Sequence, residues 1–407
     1  MTAFGIVAFV VALLVSVMLH EAGHFVTARR FGMKATQFFV GFGPTVFSRR
    51  RGETEYGVKA IPAGGYVKII GMTPLEEVAP ADEARAFFRQ PARRRLVVLS
   101  AGSFMHFVIA VLLTFGVTAA VGVVDDTAPV LAAPAACVPL AVTVTSHPTS
   151  GCPAGTTVGA PALAAGLRSG DRVVAAAGRP VSTYRQLVEL VRSHAGQPLA
   201  LQVRRDGRVV DVTLTPVRVT RPDLAHPTSS VQVGAIGVQQ ELVTRRLGPI
   251  GSIQETGRRL GLIVSGTYTS LTTKLGTITD LYGSHRDPTG LVGAVGAANV
   301  SGQILNQGGV SLAVRVSDFL LLIAGLNLFV GVFNLLPLLP LDGGHIAIVL
   351  YEQARDRVRR LRGYAGPLQR VDFNKLMPVT YAVVLLFAGL TIFIMGADIV
   401  NPVRITP

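Results

Sequence analysis

Apolar residues are gathered into four long runs along this chain, at about 2–28, 96–124, 319–341 and 377–397. Each run is long enough to cross a bilayer as a helix, which takes about 20 residues. The first run is expected to be retained and not removed as a signal peptide, because it has neither a basic start nor a cleavage site of small residues. The pattern therefore predicts a polytopic α-helical membrane protein.

The segment between the first two runs has a different pattern. Residues 35–75 consist of short β-prone stretches separated by glycines, as in Phe38–Pro44 and Glu55–Ile69. This pattern predicts β-hairpins that lie at the cytoplasmic face of the membrane. An edge strand there would bind an extended substrate by strand addition. An inert connecting hairpin fits the same pattern, and the sequence leaves the two open.

The long region between the second and third runs begins with a linker rich in Ala, Pro and Thr and then predicts a compact α+β domain. Its core lies at about 155–220. The order of elements resembles the circularly permuted PDZ domain of bacterial proteases, and PDZ domains bind extended chain ends at a sheet edge. The predicted elements are a short helix ending at Gly166, a turn at Ser169–Asp171, an apolar strand, a helix at 183–194, and strands at 198–205 and 209–217 joined by Asp206-Gly207.

Positive charge is concentrated in two segments that flank the apolar runs. The chain has 38 Lys and Arg against 24 Asp and Glu, a formal net charge of +14. Because cytoplasmic loops are enriched in Lys and Arg, both segments are predicted to be cytoplasmic, and both termini and residues 125–315 extracytoplasmic. The charge thus indicates the lipid bilayer of the plasma (inner) membrane as a partner and not a nucleic acid. The basic residues are Arg29, Arg30, Lys34, Arg49, Arg50, Arg51, Arg93, Arg94 and Arg95 in the first segment and Arg355, Arg357, Arg359, Arg360 and Arg362 in the second.

These patterns predict one order of segments along the chain. Residues 241–318 are expected to contribute amphipathic helices at 250–270 and 291–305 on the outer membrane surface, with no function assigned. The segments are a first span at 1–28, a cytoplasmic hairpin region at 29–95, a second span at 96–124, the linker and PDZ-like domain at 125–240, the amphipathic region at 241–318, a third span at 319–345, a cytoplasmic basic segment at 346–376, a fourth span at 377–397 and an extracytoplasmic tail at 398–407.

The two cysteines of the chain, Cys137 and Cys152, both lie in the predicted extracytoplasmic region. Disulfides form in such compartments, and the loop between the two residues is short and rich in Pro and Gly. The sequence leaves open whether they form a disulfide or remain two separate thiols.

The first apolar run contains His20-Glu21-Ala22-Gly23-His24, which is an HExxH motif. On a helix the two histidines share one face and can bind zinc, and the glutamate can act on water at the metal. Residues 2–19 carry no formal charge, so the motif lies within a membrane span. A carboxylate and two imidazoles there are costly unless they have partners, which argues against a chance occurrence.

A catalytic zinc site needs a third protein ligand, and the third run supplies a carboxylate at Asp342. The His pair lies on the order of 10 Å inside the cytoplasmic boundary, by the helical rise from Arg29 back to His20. Asp342 is expected at the cytoplasmic end of the third span, behind Pro337 and Pro340. His20, His24 and Asp342 are therefore expected at a similar depth in the membrane.

The chain as a whole resembles the site-2 protease family of intramembrane zinc metalloproteases, in particular bacterial members with a PDZ domain. The resemblance rests on HExxH in the first span, the Gly-rich hairpins, the PDZ-like region and Asn-x-x-Pro followed by Leu-Asp-Gly in the third span. It implies that His20, His24 and Asp342 are zinc ligands and that Glu21 is the catalytic acid and base. It also implies that Asn334 holds the substrate backbone near the metal.

Two departures from the family pattern concern the third and second spans. The second motif proline stands at Pro340, three residues after Pro337, where the family usually has it two residues after, although the spacing from Asn334 to Asp342 is unchanged. His106 occupies the position of the Asn in the family's Ala-Gly-Pro-x-x-Asn element. His106 is either a polar partner of the site or a helix-packing residue. His345 is open to two similar roles, as an outer partner of the metal site or an interfacial residue.

The resemblance implies an intramembrane zinc endopeptidase that makes the second cut in regulated proteolysis of single-span proteins, with anti-sigma factors as substrates. A non-catalytic receptor or scaffold is the main alternative, and a metal transporter is a weaker one. A structural metal site has no need of Glu21, and burying that carboxylate without a task is costly. Inverted repeats, which are typical of transporters, are not found in the sequence.

Overall fold

The computed structural model divides the chain into two compact units, Met1–Val121 with Leu247–Pro407, and Gly122–Arg246. The residues described are 2–72, 76–125, 127–142, 151–223, 229–241, 243–273, 281–283, 291–307, 311–364, 366 and 370–403.

The first unit consists of long helices and one sheet. Its helices are α1 (Thr2–Arg30), α2 (Ala92–Ala120), α5 (Pro249–Thr273), α6 (Ala294–Asn306), α7 (Leu312–Asn334), α8 (Asp342–Leu361) and α9 (Met377–Val400), and its strands are β1 (Ala35–Arg51) and β2 (Thr54–Ile69). The helices α1, α2, α7 and α9 are each long and apolar enough to cross a membrane. The prediction of a polytopic helical membrane protein is therefore confirmed.

The third membrane-length helix lies earlier in the chain than predicted. The sequence pattern placed a span at 319–341 with Asp342 at its end, but α7 begins at Leu312 and ends at Asn334. Pro337 and Pro340 stop it, because proline lacks the backbone donor that a helix interior requires. Asp342 instead opens a separate helix, α8, so the prediction that it terminates the third span is wrong.

The sheet of β1 and β2 lies against α1. Both strands are long and bent, and Phe39 pairs with Gly57 on one side and with Tyr66 on the other. The residues at 65–69 thus form an edge, and within the described residues no further strand pairs with them. Phe25 of α1 packs against the Phe38 ring at 5.3 Å between centroids, which joins the sheet to the helix.

A buried apolar cluster holds α8 beside the ends of α1 and α2. Its members include Ala28, Ile69, Leu99 and Val349. An ion pair reinforces it, with Arg95 Nη1 3.1 Å from Glu352 Oε2 and both side chains largely buried. Breaking such a buried pair is costly, so α8 is firmly positioned on α2.

The helices α5 and α6 occur close to the two runs predicted at 250–270 and 291–305. α6 packs against α1, α7 and α9. Asp398 of α9 accepts hydrogen bonds from the Gly293 and Gly296 amides at the start of α6, at 3.0 and 2.8 Å. Because the first amides of a helix have no partner within it, this carboxylate caps α6.

The second unit is a small α+β assembly. Its helices are α3 (Pro161–Ala164) and α4 (Tyr184–Ser193), and its strands are β3 (Val123–Asp125), β4 (Cys137–Pro139), β5 (Thr157–Gly159), β6 (Arg172–Ala176), β7 (Arg179–Pro180), β8 (Leu199–Arg205), β9 (Arg208–Leu214), β10 (Val217–Pro222), β11 (Ser230–Ala235) and β12 (Val243–Arg245). The main sheet has the order β7-β6-β8-β9, and further pairs are β10 with β11, β4 with β5 and β3 with β12.

Local sequence signals account for several elements of this unit. Asp206 and Gly207 both have positive φ, as the tight β8–β9 hairpin requires. Asp171 is buried, which opposes its ionisation, but hydrogen bonds from Arg205 and from the Arg168 amide hold its pKa below its usual range.

Cys137 and Cys152 form a disulfide, which resolves the question that the sequence left open.

Candidate metal centre

His20 and His24 lie one helical turn apart on α1, on the face that the bundle covers. Both are buried, with 8% and 4% of their surfaces exposed. Their Nε2 atoms are 3.1 Å apart. The His24 Nδ1 atom donates to the carbonyl of Val98 on α2 at 2.7 Å, which leaves its Nε2 with a free lone pair. An outer hydrogen bond of this kind is typical of metal-binding histidines.

Asp342 reaches the same point from the start of α8. Its Oδ2 atom lies 3.5 Å from His20 Nε2 and 3.4 Å from His24 Nε2. A Cβ at Gly343 would collide with the backbone of Leu335 and Leu336, so glycine is required where α8 turns back onto the end of α7. This close packing fixes where Asp342 enters the site.

The three side chains suit a divalent cation. Ligand atoms of His20, His24 and Asp342 all lie within 4.8 Å of one another. Asp342 Oδ2 is buried, and among the described residues it has no hydrogen-bond partner. Leaving a buried acceptor unsatisfied is costly unless an ion or proton compensates it. Two imidazole nitrogens and a carboxylate oxygen are a donor set that zinc prefers, with a fourth position left for water or substrate.

Glu21 points to a different neighbour from the histidines beside it. Its Oε2 atom accepts a hydrogen bond from the backbone N–H of Val67 on β2, at 3.0 Å. The side chain is half-buried, and it is not a member of the three-residue cluster. The edge of the sheet thus holds the carboxylate next to the cluster, where it remains available for proton transfer.

Gly102 of α2 is the point where that helix approaches the histidines most closely. A Cβ at this position would collide with the rings of both His20 and His24. Gly102 is itself buried. The glycine therefore allows α2 to cover the metal centre from one side.

A polar network next to the centre joins three helices. His106 of α2 has its ring 5.0 Å from that of His20, between centroids. Its Nδ1 lies 2.8 Å from Asn327 Oδ1 on α7. The Asn327 Nδ2 atom donates to Ser16 Oγ of α1 at 3.0 Å and to the Ile323 carbonyl at 2.8 Å. His106 is thus both a neighbour of the site and a helix-packing residue.

Asn327 and Ser16 were not predicted from the sequence to lie near the site. An amide within an apolar span is expensive unless its hydrogen bonds are satisfied, and this signal was present in the third run. The sequence alone gave no indication of its partners, because His106 and Ser16 are 221 and 311 residues away along the chain.

Two other residues singled out from the sequence lie around the centre. Asn334 is the last residue of α7 and is half-buried. It directly precedes the Leu335–Leu336 backbone on which Gly343 packs. His345, one turn beyond Asp342 on α8, stacks on Phe373 at 5.9 Å between ring centroids.

The second unit has a cavity of its own, of about 570 Å³. It lies between α4 and the segment from β11 to Gln239, with Leu187 and Val191 among its apolar walls. Arg192 and Arg221 also line it and supply positive charge. A cavity with apolar walls and a cationic side suits an extended peptide with a free carboxylate.

Comparisons with known proteins match almost the whole of this chain to a family of peptidases. The profile of peptidase family M50 matches residues 8–369. The chain is 38% identical over 415 residues to zinc metalloprotease Rip1 of Mycobacterium tuberculosis H37Rv, covering 98% of each chain. It is also 38% identical over 420 residues to zinc metalloprotease Rip1 of Mycolicibacterium smegmatis, covering 100% of this chain and 99% of the relative. A putative zinc metalloprotease of Brucella suis is 31% identical over 365 residues, 85% of each chain.

Proposed function

The chain belongs to peptidase family M50, the site-2 protease family, and is a membrane zinc metalloprotease; on that premise we propose that it cleaves the membrane-spanning segments of single-span proteins. One observation carries the proposal. Two histidines within an apolar, membrane-length helix meet an aspartate from a distant part of the chain, with all ligand atoms within 4.8 Å. A site so placed is suited to substrates that are themselves in the membrane.

We assign His20, His24 and Asp342 as the zinc ligands. Their donor atoms, their burial and the unsatisfied Asp342 Oδ2 support this assignment. A zinc ion held by these residues would supply Lewis-acid chemistry, which would polarise a peptide carbonyl and make water more acidic. The hydrogen bond from His24 to Val98 and the packing of Gly102 keep the rings oriented for it.

Glu21 is the acid and base of the reaction. Its carboxylate takes a proton from the attacking water and later gives it to the departing amine nitrogen. The amide of Val67 holds one carboxylate oxygen, so the side chain keeps its orientation through both transfers. A general base of this kind contributes typically about 10²- to 10⁴-fold to a rate.

The edge of the sheet at residues 65–69 is the place where an unwound substrate would lie. Substrate helices must unwind before cleavage, because their peptide bonds are hydrogen-bonded within the helix. An extended segment that added to this edge would pass Glu21. Because the Val67 N–H is already donated to that carboxylate, the segment would pair with the neighbouring residues of the edge. This proximity favours strand addition over an inert hairpin. Asn334, at the end of α7, is proposed to hold the substrate backbone from the other side.

The topology proposed from the charge distribution puts the zinc near the cytoplasmic side and the Gly122–Arg246 unit outside. In that unit the helix α4, the β8–β9 hairpin and the cavity beside α4 are consistent with a PDZ-like domain. It would admit substrates already trimmed outside, by binding their new ends or by excluding bulky ectodomains. Anti-sigma factors are the proposed substrates.

A reconstituted cleavage assay tests the proposed function. The purified full-length chain is placed in lipid vesicles with a single-span substrate whose external domain has been removed. Cleavage is expected within the span, as located by mass spectrometry of the products. A zinc chelator is expected to stop it, and added zinc to restore it. Stable binding without cleavage would favour the receptor alternative, and cuts confined to the flanking soluble segments would contradict an intramembrane site.

The substitution Gly102→Ala is expected to lower the cleavage rate about 100-fold, since displacing a reacting group by about 1 Å can cost that much. The added Cβ would push against the His20 and His24 rings. Gly116→Ala is the matched control, because it lies on the same helix and a Cβ there meets nothing within 4 Å. The control should keep its activity and gain up to about 1 kcal/mol in helix stability. Equal rates for the two variants would contradict the role given to Gly102.

A further inference from the structure

A cavity separate from the zinc ligands lies where α8 meets the start of α9. Its volume is about 770 Å³, which is within the range of about 300–1,000 Å³ typical of small-molecule sites. The loop after α7 forms one wall, from Pro337 to Leu339. Leu376, Val379 and Val383 form an apolar wall that continues along α9, one of the membrane-length helices. The cavity therefore opens at a membrane boundary.

The polar side of this cavity is positively charged. Arg355, Arg370 and Lys375 line it, against the carboxylate of Asp372. Asp372 Oδ1 already accepts the backbone N–H of Asn374 at 3.0 Å. The charges present favour an anionic ligand.

Contacts with neighbouring residues hold two charged side chains in place around the cavity. Glu352, on the neighbouring face of α8, is paired with Arg95 and accepts the Val371 amide at 3.0 Å. Arg370 has its guanidinium 4.0 Å from the centre of the Phe88 ring, so it is held in place by a cation–π contact.

The adjoining surface of α8 indicates what kind of molecule is available there. Leu350, Val358 and Leu361 are 52%, 47% and 83% exposed, and their spacing of eight and three residues puts them on one face of the helix. Arg357 and Arg362 flank that face. An apolar stripe bordered by arginines is typical of helices that lie in the membrane interface, in contact with anionic lipids. In the topology proposed above this is the cytoplasmic interface.

We propose that this cavity binds an anionic glycerophospholipid. The phosphate lies among Arg355, Arg370 and Lys375, and an acyl chain follows the apolar wall of α9. The lipid also contacts the 337–339 loop, which precedes Asp342, and so supports the segment that carries the third zinc ligand. Because three cations and one carboxylate line the cavity, a ligand that carries a negative charge matches it better than a neutral apolar segment of a substrate does, which favours the lipid as the occupant.

The chain contains no Trp, so a single introduced Trp reports on one position only. Tyr351→Trp puts the reporter at the cavity, and Leu385→Trp puts a control on α9 at a side chain that is 72% exposed. Each full-length variant is placed in phosphatidylcholine vesicles that contain a small fraction of brominated phosphatidylglycerol or brominated phosphatidylcholine. Bromines on the acyl chains quench fluorescence on contact.

The Trp at position 351 is expected to show an about tenfold preference for the anionic bromolipid, and the Trp at position 385 no preference. Adding Arg370→Gln and Lys375→Gln to the Tyr351→Trp chain should abolish the preference while quenching by the neutral bromolipid persists. Equal quenching by both lipids at position 351 would overturn the proposal. Loss of the preference on adding inorganic phosphate would also overturn it, because that result indicates a free-phosphate site. Loss of the preference on adding a single-span substrate would overturn it as well, because that result indicates a substrate path.

Discussion

Replacing Glu21 by Gln is expected to lower the cleavage rate by about 10²- to 10⁴-fold, because the amide cannot take up the proton of the attacking water. The zinc content should stay at the wild-type value, since Glu21 does not belong to the group formed by His20, His24 and Asp342. The amide oxygen of Gln can still accept the Val67 N–H, so the local structure is retained. Rates are measured on the single-span substrate, and zinc by elemental analysis of the purified protein.

Glu55→Gln is the control for this variant, because it makes the same chemical change on β2, the strand that holds Glu21. It should leave both the rate and the zinc content unchanged. Equal cleavage by the Glu21→Gln variant and the wild type would remove Glu21 from the mechanism. A Glu21→Gln chain without zinc would show that the carboxylate has a structural part in the metal site.

Replacing Asp342 by Asn is expected to remove the metal as well as the activity. The amide is a poor zinc ligand, and the site loses the negative charge that the cation compensates. The zinc affinity should fall by more than about 100-fold, since changes to outer partners of metal ligands alone cost about 10- to 100-fold. Zinc content, competition with a chelator and cleavage rate are the three measurements.

Asp356→Asn is the matched control for the ligand change, because it makes the same substitution on α8 outside the metal centre. It should keep zinc and activity. If Asp342→Asn kept full zinc affinity, the third ligand would have to be another residue. This outcome would leave the membership of the chain in the M50 family intact but would contradict the assignment of Asp342.

The membrane-length helices were predictable because a run of about 20 apolar residues is the length that a helix needs to cross a bilayer. The exact place of the third helix was not. The run from 319 to 341 is apolar apart from Asn327 and Asn334, and apolar character does not show where a helix ends. Pro337 and Pro340 could be recognised in the sequence as residues that end a helix. The start was not recognised: Ser311 caps α7, which therefore begins at Leu312, seven residues before the predicted start at 319.

In the candidate site, too, some residues could be predicted from the sequence and some contacts could not. The histidine pair follows from helical geometry, since positions four apart share a face, and Glu21 comes with them. The hydrogen bond from the Val67 amide to Glu21 joins residues 46 apart in sequence, and no local pattern indicates it. The same is true of the contact of His106 with Asn327.

Features that depend on short-range regularity could be predicted from the amino-acid sequence: the membrane-length helices, the hairpin turn at Asp206-Gly207 and the spacing of His20 and His24. Three features became visible only in the folded chain: α8 turns back at Gly343, Gly102 lets α2 approach both rings, and Asp342 lies 3.4–3.5 Å from the two histidines. The physical reason is that periodicity and turn chemistry act between near neighbours in sequence. Close packing acts between surfaces, and its partners are set by shape, wherever the chain brings them together.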